Sequence, residues 1–141
     1  LEYENRLLRE IQDMGAMVIY HNCGDAAKIM HYYDDLPINC WGYLTPPPYA
    51  DVILEEALKL DPGLTLRGNI DQIEFLMKAT PEEVYEKTRE VVLKAKERGN
   101  FILSTTDFFF DGTPYENIRA MVRAGMDHGW YREVGTPADV R

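Results

Sequence analysis

A histidine and a cysteine stand two residues apart at His21 and Cys23, directly behind the apolar run 17–20. Side chains two residues apart in a β-strand point to the same side, so a strand ending here aims an imidazole and a thiol together. Nitrogen and sulfur donors held in this way suit zinc. Two donors do not complete a metal site, and a buried cysteine beside a hydrogen-bonded histidine is the structural alternative.

Polar side chains also stand where later strands are predicted to end, and reactive groups of parallel α/β proteins gather at such ends. The segment 67–71 places Asn69 and Asp71 there. Its glycine often marks the close approach of a ligand, and a simple strand-to-loop turn is the alternative. Asp107 is a candidate third zinc ligand or general acid–base group, or else begins a surface turn. The phenylalanines at 108–110 indicate an apolar pocket wall or a buried interface.

The remaining cysteine and histidines are predicted to have structural roles. Cys40 stands at the start of a predicted strand, about 13 Å from its carboxyl end at about 3.3 Å per residue, so it is expected in the core. His31 and His128 fall within helical patterns and are expected to be surface or packing groups.

Hydrophobic patterning predicts an opening helix followed by four strand–helix units. The opening helix has one apolar face and ends at Gly15, and the face is formed by Leu7, Leu8, Ile11 and Met14. The predicted strands span 17–21, 39–44, 64–70 and 101–104, and the predicted helices span 25–33, 49–60, 71–79, 80–99 and the segment after 113. This alternation predicts an α/β fold with a parallel sheet. Four units are about half of a (β/α)8 barrel, for which about 250 residues is typical, and an open four-stranded sheet is the alternative.

Three helix starts carry capping signals. The segments 80–83 and 113–116 each place threonine at the N-cap, proline at the first helical position and glutamate three residues after the cap. This is the capping-box pattern, with proline where its missing N–H is not needed. Gly24 permits a sharp turn after the first strand, and Asp25 is predicted to cap the helix that follows it.

The composition is that of one acidic globular domain, with 141 residues and a formal net charge of −9. The negative charge argues against binding to nucleic acid, and no apolar run is long enough to cross a membrane. The two cysteines do not form a disulfide framework, so a cytoplasmic location is expected. The chain begins at Leu1 inside a helical pattern, which suggests a piece of a longer protein. A half-barrel has two unpaired strand edges, which favours a homo-oligomer or association with a missing N-terminal half.

The order of the motifs resembles the C-terminal half of the uroporphyrinogen decarboxylase superfamily, which includes zinc-dependent methyltransferases that exchange methyl groups with corrinoid proteins. The resemblance runs from about Glu2 to Gly129. The motifs are His-x-Cys-Gly-Asp at 21–25, Leu-Arg-Gly-Asn-Ile-Asp at 66–71, Thr-Pro-Glu-Glu-Val at 80–84, Phe-Ile-Leu-Ser at 101–104 and Thr-Pro-x-Glu-Asn-Ile at 113–118. The resemblance implies a (β/α)8 barrel in the complete protein, of which residues 1–134 supply the last four units. Residues 135–141 are expected to form a loose tail.

The resemblance also implies a ligand set. In these methyltransferases a His-x-Cys pair and a later cysteine bind zinc. His21 and Cys23 match the pair, whereas Asp107 stands at the later position. The decarboxylases commonly have histidine at that position, so Asp107 departs from both patterns and marks a divergent subgroup.

The function implied by the resemblance is a zinc-dependent methyltransferase. The Zn2+ would be held by His21, Cys23 and Asp107, and a cobalamin would be carried by a partner protein. The small-molecule substrate is a thiol, a methyl ether or a methylamine. Asn69 and Asp71 are the further candidate catalytic residues, which orient the substrate. Its candidate binding residues are Tyr43, at the pocket mouth with the prolines at 46–48, and Arg67.

Two alternatives stay open at this point. A cofactor-free decarboxylase needs cations to hold an acidic tetrapyrrole, and Arg67 is the only arginine close to a predicted strand end. The acidic balance of the chain fits such a substrate poorly. The other alternative is an isolated half-barrel that folds without activity.

Overall fold

A computed structural model describes residues 1–131 of the chain. The predicted tail at 135–141 and the boundary at 134 lie outside the described residues. The helices are α1 (Glu2–Asp13), α2 (Leu54–Ala57), α3 (Pro81–Arg98) and α4 (Tyr115–His128), with a 3₁₀ helix at Met30–Asp35 and a π-helix at Gln72–Leu76. The strands are β1 (Ile19–His21), β2 (Cys40–Leu44), β3 (Thr65–Ile70) and β4 (Phe101–Thr105).

The four strands form one parallel sheet in the order β1-β2-β3-β4. The predicted α/β class and the parallel pairing are therefore confirmed. Within the described residues, β1 and β4 are the two edges of this sheet.

One face of the sheet carries the hydrophobic core. Trp41 pairs in register with Leu66, and both are fully buried against residues of the helices. The helices contribute Leu8, Leu54, Ala57, Val84, Val91 and Met121 to this core. Burial of a large apolar side chain stabilises a fold by roughly 1.5–3 kcal/mol, so the sheet and the helices depend on each other.

The opposite face of the sheet is here called the open face. The strand register places on it Ile19 and His21 of β1, Cys40 and Gly42 of β2, Thr65 and Arg67 of β3, and Ile102 of β4. At the two edges, Ile19 is 55% exposed and Ile102 is 46% exposed. The open face is therefore uncovered by residues 1–131 at its edges.

The capping box of α3 is confirmed. The Thr80 hydroxyl accepts from the Glu83 N–H at 3.3 Å, and the Glu83 carboxylate accepts from the Thr80 N–H at 2.8 Å. The capping box predicted at 113–116 is wrong. The Thr113 hydroxyl donates instead to the Phe110 carbonyl at 2.8 Å, and α4 begins at Tyr115 without a side-chain cap.

The two predicted helices at 25–33 and 49–60 are wrong over most of their length. Asp25 caps no α-helix, because the N–H groups of Ala26 and Ala27 donate to the Asp51 carboxylate at 2.7 and 2.9 Å. This contact keeps the first segment in a turn that leads into the 3₁₀ helix. In the second segment, Val52 N–H donates back to the Thr45 carbonyl, so the regular helix is restricted to α2.

The predicted apolar face of α1 is only partly buried, whereas the predicted burial of Cys40 is confirmed. Leu8 is the buried residue of α1, whereas Leu7 and Met14 of its predicted apolar face are exposed. Cys40 is buried at the start of β2, as predicted, and burial raises the pKa of its thiol.

Candidate metal centre

Three potential metal donors converge beyond the carboxyl ends of the two edge strands. His21 ends β1, Cys23 follows two residues later, and Asp107 lies two residues beyond the end of β4. One ligand atom from each lies within 4.8 Å of the other two. His21 Nε2 and Cys23 Sγ are 3.1 Å apart, and both side chains are exposed. The alternative of a buried packing cysteine is therefore contradicted at Cys23.

The donor set fits zinc in chemistry and approximately in spacing. Zinc accepts imidazole nitrogen, thiolate sulfur and carboxylate oxygen, and bonds of about 2.0–2.3 Å place tetrahedral neighbours about 3.3–3.8 Å apart. The histidine–cysteine separation is already near this range, and a contraction of about 1 Å brings the widest pair into it. Three protein donors leave a fourth position for substrate, as in catalytic zinc sites.

The chain around each donor continues the adjoining strand before it turns. Asn22 N–H donates to the Gly42 carbonyl at 2.7 Å, and Thr106 N–H donates to the Ile70 carbonyl at 3.0 Å. Gly24 has φ +142°, a conformation that side chains rarely adopt, and it turns the chain directly after Cys23. The donors are thus fixed by sheet hydrogen bonds on the strand side.

Asp107 has its own local restraint. Its Oδ1 accepts from the Phe108 N–H at 2.8 Å, and its carbonyl accepts from the Thr105 hydroxyl at 2.5 Å. Asp107 is therefore at the start of a turn, as its alternative interpretation predicted, and its carboxylate lies in the donor cluster as well.

Tyr43 and Arg67 adjoin the cluster. The Tyr43 ring meets the His21 ring edge-on, with centroids 4.7 Å apart. The guanidinium carbon of Arg67 lies 4.2 Å from the Tyr43 ring centroid, and Arg67 Nε donates to Ser104 Oγ at 3.3 Å. The structure thus places Tyr43 against His21 and Arg67 against Tyr43.

Asn69 and Asp71 are buried and hold the backbone around the site. Asn69 Nδ2 donates to the Leu44 carbonyl at 3.3 Å. Asp71 Oδ1 accepts from the N–H groups of Ile73 and Glu74 and caps the π-helix. Neither belongs to the group of three donors, and a role in catalysis stays a prediction for both.

A cavity of about 200 Å³ lies beside the donors. Its lining includes Cys23, Asp71, Asp107 and Phe110. Of the three consecutive phenylalanines, only Phe110 is among its lining residues, so the predicted apolar wall is formed there by one of them. A neighbouring cavity of about 330 Å³ is lined by Asn69 and by the proline loop at Pro46 and Pro47.

Sequence reasoning missed a hydrogen-bonded pair of polar residues of the smaller cavity, Gln72 and Thr106. Both are buried, and the Thr106 hydroxyl donates to the Gln72 side-chain oxygen. Their positions in the sequence could have identified them, because Gln72 directly follows Asp71 and Thr106 directly precedes Asp107.

The other histidines lie elsewhere, as predicted. His31 is exposed and packs on Tyr32, and His128 lies 3.0 Å from the Tyr85 hydroxyl at the end of α4. Among the helices of residues 1–131, none is both long enough and apolar enough to cross a bilayer.

Comparison with known proteins places the chain in a family. Residues 1–128 match the family model for uroporphyrinogen decarboxylase (URO-D). A methylated-thiol–coenzyme M methyltransferase of Methanosarcina mazei is 34% identical over 124 residues, which cover 88% of this chain and 30% of that protein. A solved structure of a methyltransferase from Methanosarcina mazei has the same fold, with a TM-score of 0.70 at 18% identity over 88% of this chain and 35% of that one.

The chain therefore spans about a third of the length of these relatives. Its four parallel strands alternate with helices and share the fold of part of that methyltransferase, which is of the TIM-barrel type. With the family model matched along almost the whole chain, this protein belongs to the uroporphyrinogen decarboxylase family.

Proposed function

We propose that this chain carries the metal-binding half of a zinc-dependent methyltransferase. Such an enzyme moves a methyl group between a small-molecule substrate and a corrinoid protein. The observation that carries the proposal is the convergence of His21, Cys23 and Asp107 within 4.8 Å. The similarity to a methylated-thiol–coenzyme M methyltransferase supports the reaction class.

Bound zinc would supply Lewis-acid activation, either of a substrate thiol or of the atom that carries the methyl group. His21, Cys23 and Asp107 would hold it. The substrate is a thiol, a methyl ether or a methylamine, and the partner protein carries the cobalamin.

Tyr43 orients the imidazole of His21 through its edge-on contact and so fixes the direction of the nitrogen donor. Asp71 holds the start of the π-helix that lies along the cavity beside the donors. Asn69 fixes the backbone at Leu44, where β2 ends. Asn69 and Asp71 are buried and keep the walls of the two neighbouring cavities in shape, and Asp71 Oδ2, which accepts no hydrogen bond from residues 1–131, is available to orient substrate.

The proposal is tested by the zinc content of the purified chain. We expect near-stoichiometric zinc after incubation with the metal and loss of most of it in Cys23→Ser, because the thiolate is the softest donor of the set. Cys40→Ala is the matched control, since it removes the other thiol from a buried position at the opposite end of β2. Elemental analysis measures all three proteins.

The outcomes separate the candidate functions. Equal zinc in the Cys23 and Cys40 variants would overturn the proposed ligand set. Absence of zinc from the chain and from a full-length relative bearing the same donors would favour the metal-free decarboxylase. Zinc in that relative alone would indicate that residues 1–141 need the rest of a barrel.

A further inference from the structure

The larger of the two cavities, of about 330 Å³, lies on the core side of the sheet. It is bounded by the carboxyl end of β3, by α2 and α3, and by the proline loop at Pro46 and Pro47. Neither the three metal donors nor the open-face residues are among the residues that line it. Ligand pockets of proteins have volumes of about 300–1,000 Å³, so this cavity is large enough for a ligand of its own.

Much of the cavity wall is apolar. It includes residues that belong to the hydrophobic core or pack against it, namely Val52, Leu54, Ile70, Phe75 and Val91. A cavity of about 150 Å³ is enough to hold benzene, so this one has room for a ring with a short side arm. The wall therefore suits a small molecule with an apolar body.

Two buried polar side chains lie in this wall where β3 ends. Asn69 and Asp71 are each 6% exposed. Asn69 Nδ2 donates to the Leu44 carbonyl, and Asp71 Oδ1 accepts from the N–H groups of Ile73 and Glu74. The other two oxygens, Asn69 Oδ1 and Asp71 Oδ2, accept no hydrogen bond from residues 1–131. The polar groups left unused are therefore acceptors.

Asp71 is also the charged residue of the lining that has no ion pair within residues 1–131. The other charged lining residues pair with one another across α2 and α3, as Lys94 with Glu55 and Lys87 with Glu90. Lys78, which follows the π-helix, pairs with Glu74 at 2.5 Å instead of with Asp71. A buried carboxylate is stabilised by a cation, and the described chain supplies none at Asp71.

We propose that this cavity binds a small primary amine with an apolar body. Its ammonium group donates to Asp71 Oδ2, with Asn69 Oδ1 as a second acceptor, and its body lies against Val52, Phe75 and Val91. An ammonium group has three donors and no acceptor, which matches a pair of unused acceptors. The formal net charge of −9 also favours the approach of a cation.

The amine would be coupled to the candidate metal centre through one side chain. Asp71 lines the smaller cavity beside Cys23 and Asp107 as well as the larger one. An amine in the larger cavity therefore engages the residue that is proposed to orient substrate in the smaller cavity, and each ligand alters the affinity of the other.

The test is an NMR titration of the metal-free chain with benzylamine. It follows the methyl signals of Val52 and Val91 in the larger cavity and of Ile73 in the smaller one. Benzyl alcohol is the neutral probe, because it has the same ring and a hydroxyl in place of the ammonium group. We expect the amine to shift the two valine signals and to bind about tenfold more tightly than the alcohol, since charge-assisted hydrogen bonds are the stronger ones.

Two variants distinguish a specific contact from general charge. Asp71→Asn removes the charge and keeps a residue that caps helices well, and it is expected to abolish the tenfold preference for the amine. Asp111→Asn, at an exposed aspartate outside the cavity, is expected to keep that preference. A preference that survives Asp71→Asn would overturn the proposal.

The unmodified chain decides the question even if Asp71→Asn does not fold. Equal binding of amine and alcohol, no shift at millimolar amine, or shifts confined to Ile73 would each contradict an amine site in the larger cavity. Because the titration needs no metal, its result is independent of the zinc measurement.

Discussion

The carboxylate of Asp107 gives the donor cluster one oxygen beside a nitrogen and a sulfur. Zinc is a borderline-soft ion that binds nitrogen, sulfur and oxygen donors. Thiolate ligands bind zinc in preference to harder divalent ions. The resemblance to the zinc-dependent methyltransferases implies a cysteine at this position in those enzymes. Asp107 is therefore the residue at which the proposed site should differ most from those enzymes in metal preference.

Replacement of this carboxylate by a thiolate tests that difference. We expect Asp107→Cys to raise zinc affinity on the order of tenfold, because it adds a second thiolate to the set. Competition with a chromophoric chelator measures the affinity.

Asp111→Cys is the matched control, since it adds a thiol at an exposed position four residues further on, outside the three-donor group. An equal gain in both variants would mean that any added thiol binds zinc, and it would remove Asp107 from the site.

At the scale of elements, Asp51 joins two segments that lie 24 residues or more apart in sequence. Its Oδ1 accepts from the backbone of Ala26 and Ala27, directly after the loop that carries Cys23. The proline loop and the loop of the metal donors are thus connected by one carboxylate.

This connection should depend on pH. Hydrogen bonds from the N–H groups of Ala27 and Ala26 lower the pKa of Asp51. A carboxyl group with a lowered pKa stabilises the fold above its unfolded-state pKa of about 3.9, and the stabilisation is lost as pH falls through the folded-state pKa. We expect Asp51→Asn to lower the free energy of unfolding at neutral pH, with a deficit that shrinks below about pH 4.

Urea unfolding of the two proteins from neutral pH down to about pH 3 measures this deficit. Asp111→Asn serves as the control for loss of an exposed aspartate. A deficit that is absent, or that is the same at every pH, would contradict the assigned role of Asp51.

The sequence predicted the elements that depend on local pattern and missed those that depend on distant contacts. The four strands and the Thr80 cap follow from alternation and from a local box, and the structure has both. The predicted helix after Asp25 failed because Asp51, from a later unit, takes the N–H groups that Asp25 was expected to cap. The Thr113 box failed because its hydroxyl bonds to the preceding turn.

In the candidate site, too, the sequence predicted some features and missed those that depend on distant contacts. The grouping of His21, Cys23 and Asp107 was predictable because parallel strands bring their carboxyl ends to one edge. The contacts of Tyr43 with His21 and with Arg67 required the register of three strands, which residue types alone do not supply.

At the scale of the molecule, the described sheet has two apolar edges. Ile19 on β1 and Ile102 on β4 are both exposed, and so are Leu7 of α1 and Met14 directly after this helix. Unpaired strand edges are templates for association with another chain. The relatives are about three times as long as this chain.

We expect the isolated chain to self-associate through these edges. Sedimentation equilibrium should give an average mass above that of the monomer, rising with concentration, and Ile102→Lys should lower it because a charged edge residue opposes pairing. Val122→Lys is the control, since Val122 is a similarly exposed apolar residue on α4. A monomer at all concentrations, or equal effects of both lysines, would contradict edge pairing.

The candidate metal ligands follow the first and the last strand of the sheet, and this placement has a thermodynamic consequence. His21 and Cys23 move with β1, and Asp107 moves with β4, so the separation of the donors reports the curvature of the whole sheet. A strand that pairs with either edge changes the curvature of the sheet, and so does a cation that the three donors hold. By reciprocity, a neighbour that raises metal affinity by a given factor is itself bound more tightly by the same factor when the metal is present. Closure of the sheet and loading of the site are then one coupled equilibrium.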